Sequence, residues 1–199
     1  MSPILDSIGS VKAFGWGAFA LPNSFESIAT ATVGSGGAAD ITFSSIPSTY
    51  THLQIRSINR NTRNLTGMVA TLAMSFNSDA TAANYRRHQL IGDGSSATAS
   101  TNSGATNGFY FADSMGDGST SGMFSCFVTD ILDYTSTNKN KTVRTLFGGD
   151  NNSTAGEVGF TSGLWFKTPE VISSITIVVN NGYNFTQYSS FALYGIKGS

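Results

Sequence analysis

Asp130 and Asp133, in Thr129-Asp-Ile-Leu-Asp-Tyr134, are the closest pair of carboxylates on a strand-like run. Two carboxylates about 5 Å apart can open a glycosidic bond with retention, and a wider pair with inversion. Side chains of an extended strand alternate between faces, so residues three apart diverge unless a bulge intervenes. Strand-end or turn roles are therefore expected for both, since Asp accepts hydrogen bonds from nearby backbone N–H groups. Asp113-x-x-x-Asp117-Gly and Asp150-Asn-Asn152 offer loop oxygens of the kind that bind Ca2+. Neither matches a twelve-residue EF-hand loop with its closing Glu, and ordinary turns are expected. His52 and His88 fall on separate expected strands and read as surface or hydrogen-bonded core residues. In Gly118-Ser-Thr-Ser-Gly122, Thr120 stands where a nucleophile elbow needs Ser. Cys126 is the sole cysteine, which rules out an intrachain disulfide and a cysteine zinc site. Its apolar setting, Phe124-Ser-Cys-Phe-Val128, predicts a small buried hydrophobe. No catalytic, cofactor-binding or metal-ligating residue is assigned, no cofactor is expected, and the chain reads as non-enzymatic.

Composition points away from other functions. Charged residues are only 12% of the 199, and the net charge is −1. The only dense basic spots, Arg56/Arg60/Arg63 and Arg86/Arg87/His88, are too short for a phosphate-tracking surface, so no nucleic-acid partner is expected. Met1-Ser-Pro-Ile-Leu-Asp6 lacks the charged and apolar regions of a signal peptide. No run approaches the ~18 apolar residues needed to span a bilayer. The expectation is a chain made in a cytoplasm, without membrane insertion. A polar but nearly uncharged surface, rich in Gly, Ser, Thr and Asn, suits β-rich proteins that pack into assemblies or touch carbohydrate.

Eleven runs of β-branched, aromatic or alternating residues predict strands: Phe25–Val33, Asp40–Ile46, Thr51–Asn59, Met68–Phe76, Tyr85–Ile91, Gly108–Ala112, Gly122–Tyr134, Thr142–Phe147, Glu157–Phe166, Ile172–Val179 and Ser189–Ile196. Turn formers separate them, and Asn181-Gly182 is the strongest hairpin signal because both residues tolerate positive φ. Ser95–Asn107, poor in large apolar groups, predicts a long exposed loop. So many strands without a helical pattern predict an all-β fold: a single antiparallel two-sheet sandwich, jelly-roll-like, over 24–199, with an irregular N-terminal extension over 1–23.

That extension holds Ser10-Val-Lys-Ala-Phe-Gly-Trp-Gly-Ala-Phe-Ala-Leu-Pro22. One reading tucks it under its own domain as a first strand. The other makes it an anchor that buries Phe14, Trp16 and Phe19 in a partner. Tyr183, Phe185 and Tyr188 flank the Asn181-Gly182 turn. With Asn and Asp nearby they are candidates for glycan contact, and equally for core or subunit interface.

Several segments carry a likeness: Ser24-Phe-Glu-Ser-Ile-Ala-Thr-Ala-Thr-Val-Gly34, Ile46-Pro-Ser-Thr-Tyr-Thr-His-Leu-Gln-Ile-Arg56, Met74-Ser-Phe-Asn-Ser-Asp79, Ile131-Leu-Asp-Tyr134, Ser162-Gly-Leu-Trp165 and Phe191-Ala-Leu-Tyr-Gly-Ile-Lys-Gly198. Across almost everything after residue 23 the chain resembles virion proteins of tailed bacteriophages. The resemblance implies a jelly-roll-like domain on the virion surface, assembled in the host cytoplasm as a homotrimer beside other virion proteins. It implies no catalytic residues. The leading expectation is a tail-fibre or appendage protein, attached by its N-terminal peptide and facing host-surface glycans. A capsid decoration (cement) protein is the alternative, and a glycan-binding or glycan-degrading jelly roll the second.

Overall fold

The computed structural model describes residues 24–152, 155–167 and 169–197. Phe14, Trp16 and Phe19, with the whole 1–23 extension, lie outside the described residues. The described chain is a two-sheet β-sandwich of β1 (Phe25–Thr32), β2 (Asp40–Phe43), β3 (His52–Asn61), β4 (Met68–Phe76), β5 (Tyr85–Gly92), β6 (Ala97–Ser103), β7 (Phe109–Gly116), β8 (Ser125–Leu132), β9 (Lys141–Gly149), β10 (Glu157–Trp165), β11 (Ile175–Val179) and β12 (Ser190–Ile196).

The larger sheet runs β1-β12-β3-β8-β9-β10-β5-β6 and the smaller β2-β11-β4-β7. Neighbours are antiparallel except where Arg60 and Asn61 run parallel to Met115 and Gly116, joining the sheets at one corner. From β2 onward the chain passes repeatedly between sheets. This is jelly-roll winding with the β9–β10 hairpin set between β8 and β5.

Period-two patterning becomes period-two burial. In β8, Phe127, Thr129 and Ile131 face inward while Cys126 and Val128 face out. In β12, Phe191, Leu193 and Gly195 face inward. The core is a chain of rings between the sheets. Phe76, Tyr85, Phe109 and Trp165 pack together, and Phe111, Phe127, Phe191 and Phe185 continue the line in tilted and edge-on contacts. The rings fit because β10 carries glycine at two inward positions. A Cβ on Gly159 would overlap the Phe147 ring, and one on Gly163 the Phe109 ring.

Three sequence expectations need correction. The expected loop 95–107 contains β6, which pairs along β5 from Arg86↔Ser103 to Gly92↔Ala97. An edge strand needs only backbone pairing on one side, so small residues suffice. Asn181 and Gly182 both take positive φ, yet they make no hairpin. β11 before them pairs with β2 and β4, and β12 after them with β1 and β3, in different sheets. Cys126 is exposed rather than buried, because Phe127 beside it takes the inward place.

Candidate functional site

The residues singled out by sequence do not converge. Asp130 lies on the outer face of β8, where its carboxylate accepts from Gln54 Nε2 (2.8 Å) and pairs with Arg144 (3.5 Å). Asp133 follows the strand at φ 49°, the turn role expected for it. Its carboxyl is lowered by the Lys139 hydrogen bond (2.7 Å). His52 Nδ1 accepts the Asp133 backbone N–H, and His88 sits four strands away on β5. Among the described residues no group of His, Cys, Asp and Glu is arranged to hold a metal.

The basic spots disperse as well. Arg60 is buried, and its guanidinium donates to the carbonyls of Asp117 (2.9 Å), Ser119 (2.6 Å) and Thr120 (3.0 Å), clipping the 117–123 loop to β3. Arg87 points inward toward Gln89. Of the aromatics beside the 181–182 turn, Phe185 is fully buried against Phe191, which removes it as a glycan contact. Tyr183 lies partly buried beneath Arg63, and only Tyr188, 71% exposed, presents its ring to solvent.

Two features appear only in the folded chain. The first is a carboxyl pair. Asp113 of β7 and Glu157 of β10, from facing sheets, are hydrogen-bonded to each other, with Thr71 also bonded to Asp113. Burial, then the Asp113 charge and hydrogen bond, pushes Glu157 up to about 8. Burial raises Asp113 too, against the pull of Thr71, Glu157 and the Arg87 charge. At neutral pH Glu157 therefore still holds a proton beside Asp113, and the Arg87 charge favours the ionised form of Asp113 against its burial. Two carboxyls in direct hydrogen bond leave no room between them for a sugar ring, which glycoside cleavage requires.

The second is the outer face of the larger sheet. Register aligns Arg56, Val128, Leu146, Phe160 and Leu90 in one outward row across five strands. The next row is Ile58, Cys126, Gly148, Val158 and Gly92. Leu90, Leu146, Val158 and Ile58 are all more than half exposed, at 54–57%, and Phe160 is 46% exposed. Together these rows leave roughly 500 Å² of apolar side chain in one patch, the size at which such patches are usually functional. The glycines hollow one row into a trough of about 650 Å³ lined by Gly92, Cys126, Gly148 and Val158. A polar row of Gln54, Asp130, Arg144 and Ser162 borders the patch below, and Asp150 stands above. No strand carries more than two of these apolar positions on its outer face, so the patch arises only from the alignment of neighbouring strands.

No protein-family model matches this chain, and neither a curated protein nor a solved structure matches it.

Proposed function

We propose that this chain is a non-enzymatic structural component of a bacteriophage virion, of the tail-fibre or appendage type. Its N-terminal peptide attaches it to the particle, and its sandwich is exposed for host-surface contact. The observation that carries the assembly part of this reading is the two-row apolar face on a surface otherwise poor in charge. A five-strand apolar face left in water is a liability that binding relieves. The phage part rests on the resemblance of residues 24–198 alone. The trimer expected from that resemblance is one closed form of such an assembly, and the pairing argued below is another; measured mass separates them.

Particles from cells making the chain, purified through a density gradient and probed with antibody to the sandwich, should carry it in stoichiometric amount. Deleting residues 1–23, or Trp16→Ala alone, should leave a folded chain that no longer joins the particle. A chain that sediments wholly apart from particles would sink the virion reading. A capsid decoration protein would use the same apolar face to clamp shell subunits, and images of labelled particles separate head from tail.

A further inference from the structure

The outer face of the larger sheet is complementary to itself. We propose that two copies of this chain pair face to face about a two-fold axis that runs along the apolar rows and crosses β9 at Phe147. The proposal rests on the assembly reading above and names the partner for that face: a second copy.

Such an axis leaves every strand over its own counterpart and exchanges positions equally distant from it along the strand. Leu146 then lies over the partner's Gly148, because both are one residue from Phe147. By the register of β5, β8 and β10, Leu90 lies over the partner's Gly92, Val128 over the partner's Cys126 and Phe160 over the partner's Val158. The row of large side chains thus meets the row hollowed by glycine, twice, as isologous symmetry demands. The next rows out also match. Arg144 and Asp150 each lie three residues from Phe147, so the axis sets Arg144 of each copy opposite the partner's Asp150. Both are exposed, and sheets packed ~10 Å apart place a guanidinium within reach of the opposed carboxylate.

The size fits as well. Five strands at about 4.8 Å and four outward rows at about 6.8 Å span roughly 24 by 27 Å, and the corrugation of the side chains carries the accessible area toward the ~800 Å² per partner of a standard interface. Gly92 gives a clean probe. A Cβ there meets nothing closer than 3.9 Å in its own chain, yet a larger side chain would fill the trough.

The test is the mass of the full chain in solution, by light scattering and sedimentation, with Cys126 labelling by a thiol reagent as the second readout. The wild-type chain should have an even number of copies and label slowly at Cys126. Leu146→Lys and Gly92→Val should each halve the mass and label at least tenfold faster, with circular dichroism unchanged. Arg144→Glu and Asp150→Arg should each weaken pairing about tenfold, and the double variant should restore it. A trimer whose mass ignores Leu146→Lys would overturn the pairing while leaving the assembly reading standing. A monomer with fast Cys126 labelling would overturn the pairing and leave the face to a different virion protein. A monomer with protected Cys126, exposed on deleting residues 1–23, would overturn the pairing in favour of the chain's own N-terminal segment. Charge variants that weaken pairing without rescue in the double would overturn the proposed axis.

Discussion

Replacing Glu157 with Gln should stabilise the protein at alkaline pH and remove much of its pH dependence. Glu157 is raised from 4.5 to about 8 in the folded chain, chiefly by burial and then by Asp113. Between those values the folded chain keeps a proton that the unfolded chain has released. This group therefore makes stability fall as pH rises from about 4.5 to about 8, with no further change on either side. At ~1.36 kcal/mol per pH unit the gap is worth ~5 kcal/mol at face value. Glu157 is only partly buried, and solvent screening brings this to about 2 kcal/mol. Gln has the same shape, cannot ionise, and can donate an N–H to Asp113. In thermal melts followed by circular dichroism from pH 4 to 9, Glu157→Gln should melt ~4–8 °C above wild type at pH 8. The two should coincide near pH 4.5. A variant that melts at or below wild type at pH 8, with the same slope against pH, would refute the account of the carboxyl pair.

Three other perturbations test the framework. Asp79 accepts hydrogen bonds from Trp165 Nε1 (2.8 Å), Asn84 Nδ2 (2.8 Å) and the Thr81 N–H (3.0 Å); Asp79→Ala should cost about 2–3 kcal/mol in urea unfolding, because those donors lose their partner. Burial opposes the ionised form of Asp79, but these bonds outweigh it and hold the carboxyl at about 2, so its contribution should be intact above about pH 4 and lost as pH falls through 2. Arg60→Ala should destabilise by about 3 kcal/mol and open the 117–123 loop to limited proteolysis, whereas an uncut loop would deny the clip its role. Gly163→Ala should cost about 1–3 kcal/mol by driving a methyl into the Phe109 ring, read as a lowered urea midpoint.

The strands were legible because each half-buried strand writes its own alternation into its own residues. Ile175, Ile177 and Val179 announce β11 without reference to any other segment. The turn geometry at Asn181 and Gly182 was equally local, and both residues adopt the positive φ that their types favour. The divergence of Asp130 and Asp133 followed from strand pleat, and Asp133 takes the expected turn, whereas Asp130 stays within β8 and pairs with Gln54 and Arg144. What failed was the inference that the 181–182 turn makes its flanking strands neighbours, and the reading of 95–107 as a loop. The 181–182 turn joins strands of different sheets, and β6 forms from residues with no strand signal because β5 offers it an edge. Asp113 and Glu157 stand far apart in the chain, and only the stacking of β7 against β10 brings them together so that Asp113 raises the cost of ionising Glu157. Leu90 and Leu146 each look like a stray apolar residue on a polar strand face. Register is a property of non-local pairing, and a slip of one residue turns every side chain to the other face. The sequence by itself therefore determined where the strands lie and that they build a sandwich. Tertiary structure decided which side chains meet in the interior and which align into one exposed apolar face.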